Sequence, residues 1–345
     1  MLKIGVVGLG MMGSTHLDVY RKRTDVRVVA VADLDQQRRC GKATAAGNIE
    51  GQSQGGFDFS TVKQYADGRD LIADPDVDVV DLCLPTPAHS AFGSLALEAG
   101  KHLIIEKPLA RTYAEAIRLA QQAEQSKGLS FCAMCMRFWP GWDWLKEAVD
   151  SRRYGAVQAV SLRRVTQFPG GPFYSDGQAS GGALLDLHIH DSDFVRFLFG
   201  MPKAVSSRGY SRHTSHIDHV LTQYHYDDIP IVSAEGSWAM SPGFGFEMEY
   251  HVNFEQATAS FRLAETPQVE LTTPDEGKQS IPLSEALGYE LELAHFIDCI
   301  KQGVPSDRIS LFDAAESVRL IEAEAESCQS GRTARIESSQ PAAVS

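Results

Sequence analysis

The chain has 345 residues, 43% hydrophobic and 22% charged, which is ordinary for a soluble globular protein and enough for two domains with real cores. The formal net charge of −13 argues against nucleic acid as a partner, since binding a polyanion needs a basic face. No apolar run approaches the roughly 20 residues of a membrane helix, and no leader precedes the first strand, so the expectation is a cytoplasmic protein with reduced cysteines.

In chain order, Met1–Val7 reads as a short buried strand and Ser14–Lys22 as a helix. Between them lies Gly8-Leu9-Gly10-Met11-Met12-Gly13. Three glycines at this spacing are a weak signal alone and a stronger one between a strand and a helix. Gly8 permits the tight turn, Gly10 lets the backbone approach a pyrophosphate, and Gly13 lets helix and strand pack closely. The phosphates would rest on the helix N-terminus beside Met11 and Met12.

Arg27–Ala32 is a second strand, and Asp33 ends it twenty residues after Gly13. A carboxylate there accepts hydrogen bonds from a ribose and repels a 2′-phosphate, which favours NAD over NADP. Arg38 and Arg39 follow, and an arginine nearby can receive that phosphate. Asp33 as a helix N-cap is the plain alternative, and the two roles can coexist.

Residues 51–60 read as a surface loop insertion. Strands at 77–84, 102–106 and 129–136 alternate with helices at 89–99 and 112–125, the second opened by the capping box Thr112/Glu115. Such alternation means a parallel sheet with helices on both faces. Cys132 and Cys135 form a C-x-x-C pair within an apolar strand pattern. Redox pairs open a helix instead, so these are expected to be inert buried thiols.

After about residue 150, alternating segments near 157–168, 203–211, 217–227, 230–240, 246–254 and 256–263 suggest a largely antiparallel sheet. Helices at 182–199 and 284–302 interrupt or close it, and one near 311–329 is expected to pack on the first domain. Residues 338–345 have little to bury and are expected to be disordered. An uncovered sheet face favours self-association, as a homodimer or homotetramer.

Three places could carry chemistry. Glu106-Lys107-Pro108 ends a strand of the parallel sheet, the edge at which ligands bind. Lys107 is there either a placed amine or a surface lysine before a turn. Leu84-Pro85-Thr86-Pro87-Ala88-His89 ends another strand, stiffened by its prolines. It could press on a nicotinamide ring, or His89 could simply pack the next helix. On the apolar helix pattern of 182–199, Asp186 and His190 stand four apart and hence on one side, with Asp193 continuing the stripe. They are either an acid–base pair or a structural hydrogen bond. His188 and His190 point to different sides, and His213, His216 and His219 fall across a turn, so no metal is expected. Trp139, Trp142 and Trp144 read as packing.

Together these motifs resemble the Gfo/Idh/MocA oxidoreductases, over nearly the whole chain. The glycine loop, Glu98–His102 leading into Glu106-Lys107-Pro108, Arg137–Pro140 and the run 181–190 carry the likeness. The resemblance implies an α/β chain: a doubly wound Rossmann domain (residues 1–122), then an α+β domain with an open-faced, largely antiparallel sheet (123–345). It implies hydride transfer between a nicotinamide and a carbinol carbon of a sugar, polyol or similar compound bound between the domains. Lys107, Asp186 and His190 would be the catalytic residues. Gly8, Gly10, Met11, Met12, Gly13, Asp33, Pro85, Thr86, His89, Glu106 and Lys107 would hold the cofactor. His188 departs from the glycine of many members and is expected to reshape the pocket. The rival readings are an NAD-dependent glycosidase on the same scaffold and a non-catalytic dinucleotide sensor.

Overall fold

The computed structural model describes residues 1–43 and 56–337. Half of the loop expected at 51–60, and the whole of the tail expected at 338–345, lie outside them. Two compact units pack separately: Met1–Pro140 with Ser284–Val318, and Gly141–Leu283 with the remainder.

The first unit is built on a six-stranded parallel sheet in the order β3-β2-β1-β4-β5-β6. Its strands are β1 (Leu2–Val7), β2 (Val26–Ala32), β3 (Lys63–Tyr65), β4 (Val79–Leu82), β5 (His102–Glu106) and β6 (Ser130–Ala133). The central strands are almost wholly buried and apolar, as a sheet covered on both faces requires. The helix Tyr113–Glu124 begins with the anticipated box: Thr112 accepts from Glu115 N, and Glu115 accepts from Thr112 N.

This unit does not end near residue 122. β6 pairs with β5, and Phe131 stacks on Phe296 at 4.8 Å between ring centres. Phe296 belongs to the helix Gly288–Gln302, which the sequence pattern assigned to the second sheet. That helix packs here because its apolar stripe meets Phe131, Phe138 and Trp139, and its ends form ion pairs with this unit: Lys22 with Glu290, Lys301 with Asp25. The helix Leu311–Ser330 begins in the first unit and ends in the second.

The second unit carries a nine-stranded sheet, ordered β14-β13-β12-β11-β7-β10-β9-β8-β15. The expected strands are β7 (Val157–Gln167), β8 (Ala204–Tyr210), β9 (His219–His225), β10 (Ile231–Met240), β11 (Phe246–Phe254) and β12 (Thr258–Arg262). Short β13 (Val269–Thr273), β14 (Gly277–Ile281) and β15 (Ala334–Arg335) extend it at both ends. Only β7 and β10 run parallel. One face packs on helices: Trp142 is fully buried among Phe194, Tyr250 and Phe261. The other carries Arg163 among Glu235, Glu247 and Glu249, with Leu221 and Ile231 about half exposed.

All six cysteines lie outside any disulfide, and Cys132 and Cys135 are buried. No helix among the described residues is long and apolar enough to cross a membrane.

Candidate active site

In the first unit the glycine loop leaves β1 at its carboxyl end. Gly8 has φ +92°, a conformation that favours glycine, and a Cβ there would lie 2.4 Å from the Cys83 carbonyl oxygen. A Cβ on Gly13 would lie 1.9 Å from the Gly8 carbonyl oxygen. Gly10 differs: nothing stands within 4 Å of the place a Cβ would take. It is the N-cap of the helix Met11–Arg21, no side chain caps that end, and the first N–H groups of a helix have no partner within it. This cradle fits a dinucleotide pyrophosphate, which the backbone N–H groups of Met11 and Met12 and the helix dipole would hold.

Asp33 closes β2 against the loop. Its Oδ2 accepts from Leu9 N at 2.7 Å and its Oδ1 from Asp35 N at 2.8 Å. Asp35, rather than Asp33, caps the short helix Gln36–Arg39. Arg38 comes within 3.8 Å of Asp33, while Arg39 donates to the carbonyls of Asp33 and Leu34.

After β4, Pro85 precedes a single 3-10 turn, and Thr86 is buried. His89 is fully buried, with Nδ1 2.7 Å from the Pro108 carbonyl oxygen and Nε2 2.7 Å from that of Leu84. Burial is the largest influence on its pKa and lowers it, against the pull of the two carbonyls. Both ring nitrogens are thus engaged by backbone, so any part His89 plays in cofactor binding runs through the two loops it ties together.

After β5, Glu106 is nearly buried and accepts from Lys107 N at 3.0 Å through Oε2. Lys107 is half-buried, and its peptide bond to Pro108 is cis. The preceding signature is structural: Lys101 donates to the carbonyls of Asp74 and Val77.

Sequence reasoning missed what lies behind Glu106. His16, on the helix Met11–Arg21, is fully buried, with Nε2 3.3 Å from Glu106 and Nδ1 2.8 Å from Asp81. Tyr20 donates to the same Asp81 oxygen. His16, Asp81 and Cys83 form the one close group of potential metal ligands among the described residues. The spacing that could have flagged His16 is its place one turn beyond Gly13, on the face that packs against the sheet. His213, His216 and His219 do not form such a group; His213 stacks on Phe168, and His219 faces Glu235 on the open side of the sheet.

In the second unit the pattern at 182–199 is not one helix. Gly182–Asp186 is a short helix, the chain breaks step at Leu187, and Ile189–Phe199 follows with His188 as its N-cap. Asp186 and His190, both half-buried, flank this junction, whereas Asp193 is buried, so the three do not make one continuous stripe. The helix is fixed from behind: Asp191 takes a two-pronged hydrogen bond from Arg164, at 2.8 and 3.2 Å, and Arg164 lies over Trp142. His188 is buried as well, so it does not line a pocket.

Comparison with known proteins agrees with this anatomy. Residues 2–133 match the model of an oxidoreductase family with an NAD-binding Rossmann fold, and residues 142–260 match the Gfo/Idh/MocA C-terminal domain. Myo-inositol 2-dehydrogenase of Thermotoga maritima is 31% identical over 199 residues, 58% of this chain and 55% of that protein. Inositol 2-dehydrogenase of Acidothermus cellulolyticus is 28% identical over 345 residues, 95% of this chain and 93% of that one. Among solved structures, levoglucosan dehydrogenase in complex with NADH and L-sorbose superposes with a TM-score of 0.85 at 18% identity, covering 97% of this chain and 99% of that one. With a glycine cradle, an acid-terminated second strand and both family domains present, the chain belongs to the Gfo/Idh/MocA family and is an NAD(P)-dependent oxidoreductase.

Proposed function

We propose that the chain oxidises a secondary alcohol carbon of a cyclic polyol or sugar with NAD as hydride acceptor. One observation carries this reading. The adjacent strands β1, β4 and β5 bring the glycine loop, Pro85-Thr86 and Lys107 to the same carboxyl edge of the parallel sheet, the edge at which such folds bind ligands. The family relatives named inositol 2-dehydrogenase, and the NADH complex of levoglucosan dehydrogenase, support the substrate class.

NAD supplies the hydride-accepting ring. His190 removes the hydroxyl proton as general base, a role that imidazole side chains fill most often. The Lys107 ammonium stabilises the oxygen as it gains negative charge. Asp186 orients His190 or a neighbouring substrate hydroxyl. The Asp33 carboxylate supports NAD over NADP, because Arg39 is occupied by two carbonyls and Arg38 already faces that carboxylate. The uncovered sheet face with Leu221 and Ile231 supports a homo-oligomer.

The test is a panel of myo-inositol, other cyclic polyols, aldoses and levoglucosan with NAD and with NADP, read by absorbance of the reduced nicotinamide. Reduction with at least one cyclic polyol or sugar is expected, faster with NAD. The assignment fails if none responds, or if His190→Ala or Lys107→Met keeps near-normal turnover while still binding NAD.

A further inference from the structure

We infer that His188 is a positioning residue for His190: a buried wedge that sets the helix junction from which His190 projects. The inference rests on the role proposed for His190.

His188 is fully buried and is tied at every polar point but one. Its Nε2 lies 3.0 Å from Glu324 and 3.3 Å from the Tyr224 hydroxyl. Its backbone N–H donates to the Ala183 carbonyl at 2.8 Å. Its own carbonyl accepts from Asp191 N and Ser192 N, each at 3.0 Å. It therefore joins the short helix before the break to the first turn of the helix after it, and His190 sits within that turn. The remaining polar atom, Nδ1, is buried without a partner. A hydrogen bond to Glu324 needs a ring proton on Nε2, and a buried Nδ1 left without a partner costs stability unless the arrangement serves something else.

Glu324 makes the anchor rigid. It too is fully buried, and it also accepts from Ser192 at 2.7 Å, Thr222 at 2.8 Å and Tyr224 at 3.1 Å. Ser192 lies on the His190 helix, while Thr222 and Tyr224 lie on β9, so one carboxylate fastens that helix to the sheet twice, through His188 and through Ser192. A buried carboxylate held from so many sides admits little movement. The opposing strand is shaped to receive the ring. A Cβ on Gly236 of β10 would lie 2.4 Å from His188 Nδ1 and 2.7 Å from its Cβ. The imidazole fills the volume that a missing side chain leaves. Its influence on substrate thus passes through the backbone rather than through a pocket wall.

The experiment uses the full chain with NAD bound and histidine-selective 15N labelling, with the His190 ring signals identified by their loss in His190→Gln. In the wild type, the His188 Nε2–H should appear as an exchange-protected ring proton. Its absence overturns the inference whatever the variants do. His188→Gly, and Gly236→Ala, which displaces the ring without deleting it, should each shift or broaden the His190 signals. His188→Gln, whose amide can reach Glu324, should largely restore them. In the double variant His188→Gly/Gly236→Ala, the added methyl should have little further effect, because the clash has gone. On the fastest compound of the panel, kcat should fall on the order of tenfold in the two single variants, with KM changed by less than about twofold. Unmoved His190 signals in both single variants would overturn the inference. Turnover persisting in His190→Ala would instead remove the base assignment and leave the signal shifts standing, so the two failures are distinguishable.

Discussion

His16 and Asp81 form a fully buried pair, Nδ1 to Oδ2 at 2.8 Å, between the nucleotide-loop helix and β4. Burial by itself would lower the histidine pKa. Asp81, helped by Cys83, outweighs it and holds the imidazole well above its ordinary value. A group whose folded pKa exceeds its unfolded value, about 6.5, stabilises the fold in full below that unfolded value. The stabilisation is lost as pH rises through the folded one. His16→Gln leaves Asp81 and Glu106 buried without their cation and should cost about 3 kcal/mol or more at acidic to neutral pH. Urea unfolding of both proteins across the pH range checks this. The gap should narrow as the solution is made alkaline, and a gap independent of pH would show that the imidazole is held neutral.

The two glycines of the nucleotide loop should fail in different ways. Gly10 has φ −72° and open space where a Cβ would go, so Gly10→Ala should fold with an unchanged melting temperature. Its methyl would stand where the pyrophosphate must approach, and NADH affinity should drop on the order of tenfold or more. Gly13→Ala drives a methyl into the Gly8 carbonyl and should lower the melting temperature before any ligand is added. Thermal melts paired with NADH fluorescence titrations separate the two. Equal loss of stability in both variants would refute the distinction.

What could be read from the sequence was local. The close approach of Gly13 to Gly8 and the Thr112/Glu115 box are sterics and hydrogen bonds within a few residues, and both appear as expected. The strands β7 to β12 announce themselves by alternation. What escaped depends on partners far along the chain. The stripe on Gly288–Gln302 shows that the helix buries one face, and partners far along the chain such as Phe131 and Phe138 decide which sheet it covers. The break at Leu187 does not show in an apolar run that suits an unbroken helix equally well. His16 has its partner 65 residues away, and His188 has Glu324 still farther off, so neither pairing leaves a mark in periodicity. β15 has two residues and β14 a single apolar one, so alternation cannot show in either.

Arg164 and Asp191 make the buried ion pair that seats the His190 helix on β7. Removing one member strands a charge, so Arg164→Met should cost about 3–5 kcal/mol in urea unfolding, and Asp191→Leu a similar amount. Replacing both by apolar residues removes the stranded charge. The double variant should therefore recover most of the loss, because a buried pair owes little net stability to its own attraction. Losses that simply add would mean that the two side chains act independently, against the two-pronged contact.

Asp218 organises the turn before β9, and acid should undo that turn. One carboxylate oxygen accepts from the backbone N–H groups of Arg212, His213 and Thr214, and the other from the Thr214 hydroxyl and Trp238 Nε1. Burial pushes the pKa up, but the N–H and hydroxyl donors outweigh it and hold it below the usual carboxylate value. A folded pKa below the unfolded one stabilises the protein above the unfolded value, about 3.9, and the contribution fades as pH falls through the folded value. Asp218→Asn must turn an amide N–H₂ toward donors on one side or the other, so it should cost about 2 kcal/mol at neutral pH. The variant and the wild type should converge in stability in strong acid, where the native carboxyl is itself protonated. Chemical unfolding at neutral pH and at successively lower pH below the unfolded value, followed by tryptophan fluorescence, should show the gap shrinking as the solution is acidified. A gap that stays equal across these pH values would mean that the donors bind the neutral acid as well as the anion.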